Sequence, residues 1–448
     1  MQLTFHQSAT VTIESDDVKI LCDPWLTDGA FYGSWEQYPH YDFKPENFDD
    51  IDYIYISHIH PDHCSAPTLS KLKKNIPVLI HSFPQKFLKN NIERLGFKVI
   101  EIPHGTKFHL KGHTHITIFA ADDCDPSICG QFFGCGLFQS NTEKMGTNQI
   151  DTMCVVENDK EVIVNVNDCP YEMANQVAKK IKNNYPKIDL LLVGYSGASA
   201  YPHCYELPLK EKLTAAAKKR ETRLLSGENY IRLFSPKYFL PFAGRYTIGG
   251  KNYDLNMFRG EPELEDAYDE LVLRLQDTNS KGILLNIDET FNITTGKSQS
   301  NYKRINTNEK SEYVERVLSK YKYDYEDDEH PDVEKIKQLI PNSFNRFEEH
   351  RNGLGFRSDT VILIKISDSE YVSIPCNGDP CKIISKNQLS EYKKFLKLSL
   401  DDRLLYRILR GPQYAHWNNA DIGAHIHFER VPNVYERGAY YCLNFFHS

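Results

Sequence analysis

The stretch that decides the fold is Tyr53-Ile54-Tyr55-Ile56-Ser57-His58-Ile59-His60-Pro61-Asp62-His63. An apolar run of strand-forming residues leads straight into a tight loop bearing three imidazoles and a carboxylate. Four ligand-type side chains on one loop at a strand end are able to converge on one point. Imidazole with carboxylate suits Zn, Fe and Mn, whereas Ca and Mg prefer shells built from oxygen alone. His58, His60, Asp62 and His63 are therefore candidate metal ligands.

Two further carboxylates sit where strands should end. Asp23 closes Leu21-Cys22-Asp23-Pro24-Trp25, and Asp168 follows the apolar run Val162 to Val166. Asp168 reads as a ligand shared by two metals, and as a helix N-cap before Pro170-Tyr171-Glu172. Asp23 reads as an outer partner of the ligands or as an Asp-Pro turn.

Outward from this centre the first half alternates apolar runs with amphipathic stretches, the rhythm of a layered α/β domain. Strands are expected at Thr10 to Glu14, Val18 to Cys22, Val78 to His81, Ile116 to Ala120, Thr152 to Glu157, Leu190 to Gly194 and Tyr238 to Phe242. A long helical pattern covers Leu207 to Phe234. The texture changes after about residue 262, with polar and acidic loops and a hairpin around Ser367-Asp368-Ser369. The expected organisation is a catalytic domain over 1–262 and a smaller α+β accessory domain over 263–448 that shapes the pocket.

Composition narrows the function classes. With 53 basic against 61 acidic residues the net charge is −8, so the chain as a whole repels phosphate backbones and no nucleic-acid role is expected. No uninterrupted apolar run is long enough to span a bilayer, and Met1 to His6 is no signal peptide, so no membrane role and a cytoplasmic location are expected. The odd count of 11 cysteines fits reduced thiols.

The His-x-His-x-Asp-His loop, with Asp23 before it and Asp168 after it, resembles the metallo-β-lactamase superfamily. That resemblance implies an αββα sandwich with one or two metals at a sheet edge. Asp23-Pro24-Trp25-Leu26, the histidine loop, Pro67-Thr68-Leu69, Asp151-Thr152 and Asn167-Asp168-Cys169 are similar to the catalytic region of the CMP-N-acetylneuraminate hydroxylase family. So are Gly197-Ala198-Ser199, Pro241-Phe242-Ala243-Gly244, Trp417 to Gly423 and Phe428-Glu429-Arg430. Where hydrolases of the superfamily place two more histidines, this chain carries Thr147 and Ala243. The resemblance then implies His58, His60 and Asp168 for a first metal, and Asp62, His63 and Asp168 for a second. Asp62 and Asp168 would carry the catalysis. Two histidines and one carboxylate with open positions form the facial arrangement of non-haem iron chemistry. His203 or His104 folding in would restore a hydrolase-like set.

No cysteine here is followed by histidine at the second or third position, so the Rieske pairs of the hydroxylase family are missing from this sequence. An oxygenase built on this chain requires a separate electron donor, a ferredoxin or a Rieske protein. Three readings stand: an oxygenase with one or two irons, a zinc-type hydrolase of a phosphodiester, lactone or amide, and a catalytically idle metal-binding subunit. Gly244-Arg245-Tyr246-Thr247-Ile248-Gly249-Gly250-Lys251 suggests that Arg245 and Lys251 hold an anionic small-molecule substrate. The glycine-rich loop with Cys124, Cys129 and Cys135 is expected to overhang the metal, with Asp122, Asp123 and Asp125 as candidate substrate contacts. Lys218-Lys219-Arg220 reads as a solvated helix face.

Overall fold

The structure is a computed structural model describing residues 1–16, 18–123 and 150–448. Thr147, Cys124, Cys129, Cys135 and the adjoining Asp125 lie outside the described residues. Two sheets face each other. In the first, spatial order runs Lys297–Ser298, Glu289–Asn292, Gln2–Gln7, Thr10–Ser15, Val18–Cys22, Tyr53–Tyr55, Val78–His81, Val99–Ile102. In the second it runs Lys281–Gly282, Tyr238–Phe242, Leu190–Gly194, Val162–Asn165, Thr152–Glu157, Thr114–Ala120, Lys107–Lys111.

The last four strands of the first sheet are mutually parallel, and so are the first four of the second. Parallel strands are covered on both faces, which is why Val18, Ile20, Leu21 and Cys22 have no exposure at all, with only Lys19 between them reaching solvent. Leu3, Val11, Ile13 and Leu79 of one sheet meet Ile118, Val156, Ile163 and Leu192 of the other in the central core. The outer face of the second sheet is covered by helices Tyr171–Asn184, Leu209–Phe234 and Leu264–Arg274. The outer face of the first is covered by helices Ala66–Lys71 and Phe87–Arg94. The layers are αββα, as expected.

The expected division at residue 262 needs correction. Helix Leu264–Arg274 supplies Ala267 and Leu271 to the core beneath the second sheet, and Glu289–Asn292 pairs antiparallel with Gln2–Gln7. The apolar faces of Leu285, Phe291 and Ile293 have their partners in the sandwich, which binds this segment to the first unit.

Beyond it, a five-stranded sheet, ordered Lys382–Ser385, Glu370–Pro375, Val361–Lys365, Phe395–Ser399, His427–Val431, carries helices Val333–Gly353, Asp402–Leu409, Trp417–Ile422 and Arg437–Leu443. Its apolar core is continuous with Trp25, Phe31, Trp35, Tyr246 and Ile248 of the sandwich. Trp35 stacks on Tyr246 at 3.5 Å and donates its indole N–H to the Ile422 carbonyl at 3.2 Å. His425 joins Phe31 and Tyr325 at 2.7 and 3.0 Å, so it fastens the two parts together. The C-terminal unit thus packs against the loops that follow the first unit's strands.

Candidate metal centre

Parallel strands deliver their loops to one sheet edge. Asp23 follows Val18–Cys22, the histidine loop follows Tyr53–Tyr55, and Asp168 follows Val162–Asn165 in the facing sheet. Asp23 is wholly buried, in the left-handed region at φ 44°, and sits behind the histidines. Its Oδ1 accepts the Ser57 N–H at 2.7 Å, and its Oδ2 accepts the Ser57 hydroxyl at 2.8 Å and His63 Nδ1 at 3.1 Å. The Ser57 oxygen, its own hydrogen given to Asp23, then takes the hydrogen of His58 Nδ1 at 3.0 Å.

This network fixes the tautomers, because a ring nitrogen that donates outward leaves the other with a lone pair. His58 keeps its lone pair on Nε2. His60 donates Nε2–H to Asn418 Oδ1 at 3.1 Å and keeps its lone pair on Nδ1. Those two atoms face each other at 3.0 Å. Burial holds the His58 ring far below its ordinary range and the His60 ring down to about 4, so a proton between them is disfavoured. A metal cation satisfies both lone pairs. The donor set fits a metal.

On the other side His63 Nε2 lies 3.3 Å from Asp168 Oδ2 and 3.6 Å from Asp62 Oδ2. Burial pulls His63 down, but Asp168, Asp62 and Asp23 together outweigh it and raise the ring well above its ordinary range. Burial pushes the Asp62 carboxyl up to about 7, against the pull of His63. Burial pushes the Asp168 carboxyl up too, and His63 more than reverses it, leaving Asp168 below the usual carboxylate range. The negative field that retains a proton on His63 equally favours a divalent cation in its place. Donor atoms of His58, His63 and Asp168 lie within 4.8 Å of one another.

Sequence reasoning left Asp151 without a role at this centre. It precedes the strand Thr152–Glu157, and its Oδ1 lies 4.0 Å from His58 Nε2. Its place before a strand and the likeness of Asp151-Thr152 to the hydroxylase family are what mark it in the sequence. Thr152 beside it braces the loop by donating to the Ser57 carbonyl at 2.7 Å.

Other candidates fall elsewhere. His203 is buried near Lys212, Lys219 and Arg259 and joins no metal-type cluster among the described residues. His104 accepts the Ala120 N–H at 3.0 Å and pairs with Asp123 at 2.8 Å, which occupies both of its nitrogens. Asp123 also pairs with Lys180, so its charge is answered by these two neighbours. Ala243 lies against the central core with no ligand to offer.

Arg245 and Lys251 do not form one anion cradle. Arg245 is buried against Phe5 and reaches Tyr302 at 3.2 Å, while Lys251 is spent on Glu326 at 3.0 Å and Asp401 at 3.2 Å. The turn between them sends Arg245 to the Tyr302 hydroxyl and Lys251 to a separate pair of carboxylates. Lys219 also departs from expectation. It is buried, held by Ser199 O at 3.0 Å and Glu261 at 2.8 Å, because the face of its helix turns inward there.

Residues 2–129 match the family model described as a beta-lactamase superfamily domain. Among curated proteins, the chain is 28% identical over 248 residues to a putative Rieske 2Fe-2S iron-sulfur protein of Mycobacterium tuberculosis, covering 54% of this chain and 44% of that one. It is 23% identical over 257 residues to the cytidine monophosphate-N-acetylneuraminic acid hydroxylase of Danio rerio, covering 55% and 38%. The chain therefore spans less than half the length of these relatives. Among solved structures, CmlA, a diiron beta-hydroxylase from Streptomyces venezuelae, superposes with a TM-score of 0.41 at 16% identity over 63% of this chain and 53% of that one. No described helix is long and apolar enough to cross a membrane. The N-terminal part of this chain carries a beta-lactamase superfamily domain with the metallo-β-lactamase fold.

Proposed function

We propose that the chain is a metalloenzyme whose centre, built from His58, His60, Asp62, His63, Asp151 and Asp168, binds one or two irons and carries out oxygenase chemistry on an anionic small molecule. One observation carries this reading: three imidazoles, each fixed by an outer hydrogen bond, face three carboxylates. Hydrolase-type zinc centres of mixed nitrogen and oxygen donors lean on imidazole. Equal numbers of carboxylates and imidazoles favour a harder ion that keeps open positions, as iron does in oxygen chemistry. The hydroxylase name of one relative points the same way.

Iron held by these residues would supply a redox centre with open positions for dioxygen chemistry. The chain's own residues do the rest. Asp23, through Ser57 and His63, and Asn418, through His60, hold the imidazole rings in place. Asp62, as a ligand, would be held as the carboxylate. Trp35, Tyr246 and the C-terminal unit cover this side of the sandwich and limit water. An external electron donor, a ferredoxin or a Rieske protein, would complete an oxygenase cycle, since the sequence carries no Rieske cysteine–histidine pairs.

The second reading, a metal-dependent hydrolase, draws on the superfamily's wider chemistry, in which bound metal generates hydroxide near neutral pH. Metal-free protein loaded separately with Fe(II) and Zn(II), given a reductant and a panel of small carboxylates and phosphoesters, separates the two. Oxygen uptake coupled to product in the iron form alone supports the oxygenase. Oxygen-independent turnover by the zinc form supports the hydrolase.

A further inference from the structure

Arg223 lies on the inward face of helix Leu209–Phe234, one turn beyond the buried Lys219. It is half-buried, and among the described residues no hydrogen bond or ion pair ends on its guanidinium. Lys219, by contrast, is already answered by Glu261 and the Ser199 carbonyl. A half-buried guanidinium with its donors uncommitted, beside a cation that has been neutralised, is arranged to receive an anion.

Its position is set by the sheet. Strands Val162–Asn165 and Leu190–Gly194 run parallel in register, with Asn165 opposite Leu192. Three residues past each register partner come Asp168 and Tyr195, and Gly197 follows two residues later. The guanidinium lies against Gly197, where a Cβ would stand 2.4 Å from Arg223 Cζ and Nε. A Cβ there would push the guanidinium out of this seat. A Cβ on Gly194 would stand 2.9 Å from the Asn167 carbonyl oxygen, so the loop that bears Gly197 and the loop that bears Asp168 leave the sheet side by side.

We infer that Arg223, seated on Gly197 beside Asp168, binds the carboxylate or phosphate group of the substrate and so fixes the rest of that molecule over the metal centre. Its flat fork of donors matches either group in a bidentate manner. The role assigned from sequence to Arg245 and Lys251 passes to this residue. The inference rests on the reading of the centre as a metal site for anionic small molecules, yet Arg223 can be tested without turnover.

The test uses the full chain, metal-loaded with zinc and metal-free, with inorganic phosphate and acetate as separate probes. Modification of Arg223 by phenylglyoxal is followed by peptide mass spectrometry, and anion binding is measured by calorimetry. Phosphate or acetate is expected to slow labelling of Arg223 about fivefold or more at saturation. The probe that protects better identifies the group recognised. R223Q should weaken that anion about tenfold or more, and R223K less, because lysine keeps the charge without the fork. G197A retains the arginine but displaces its guanidinium, and should weaken binding comparably while leaving the fold intact. Unchanged labelling with both anions, or wild-type affinity in R223Q or G197A, overturns the inference. Metal content is measured on the same samples. Protection of Arg223 in protein that binds no metal supports the anion site and contradicts the metalloenzyme reading. Bound metal without protection contradicts the anion site alone.

Discussion

Asn418 Oδ1 accepts the Nε2–H of His60 at 3.1 Å, across 358 residues of sequence. Its helix, Trp417–Ile422, belongs to the C-terminal unit, so that unit sets the tautomer of a candidate ligand in the first. Asn418→Ala should therefore lower metal affinity about 10- to 100-fold while leaving the fold in place. Competition against a chelator of known affinity measures this. Asn418→Asp, which still accepts, should recover most of the loss.

Asp23 serves more partners. It accepts from the Ser57 amide, the Ser57 hydroxyl and His63 at once, all without exposure to solvent. Removing it strands buried donors and leaves His63 without its anchor. Asp23→Ala should cost about 3–5 kcal/mol in denaturant unfolding, and should abolish metal binding as well. A loss below about 1 kcal/mol would mean that water replaces the carboxylate at little cost.

Glu36 gives a pH signature. Burial, aided by the charge of Asp28, pushes its carboxyl from 4.5 up to about 8, although Oε2 accepts the Gly29 N–H at 3.1 Å. Between those values the folded chain keeps a proton that the unfolded chain has released, so this group's contribution to stability falls as pH rises from about 4.5 to about 8. Glu36→Gln should remove that slope. Thermal melting across the window should show the wild type losing stability relative to the variant, with the difference levelling off above it.

A chain ended at residue 262 should fail to fold. It would remove the strand paired with Gln2–Gln7 and uncover Leu3, Val11 and the face beneath Ala267 and Leu271. Limited proteolysis and the near-ultraviolet circular dichroism of the fragment check this. A soluble fragment with native-like near-ultraviolet signal would show the sandwich to be complete without residues 263–300.

The sequence displays the sandwich where strands are buried on both faces, because continuous apolar runs such as Leu190 to Val193 need no partner to be recognised. It hides the edge of the first sheet. Glu289-Thr290-Phe291-Asn292 reads as polar, and becomes a strand because Phe291 lies opposite Leu3 in register. The histidine loop is legible since its ligands are neighbours in the chain. Asp151 and Asn418 are not, because each reaches the centre from a different part of the chain and no local spacing marks it. Lys219 misleads for the related reason that a cationic run looks solvated until Glu261 and Ser199 are placed around it.

The most direct measurement is anomalous diffraction at the iron edge from crystals of the iron-loaded chain. The account predicts its strongest peaks among His58 Nε2, His60 Nδ1, His63 Nε2 and the carboxylates of Asp62, Asp151 and Asp168, with the peaks lost in His60→Ala or Asp168→Asn. Iron found only at the group of His330, Asp401 and Asp402, or nowhere near the histidine loop, would contradict it.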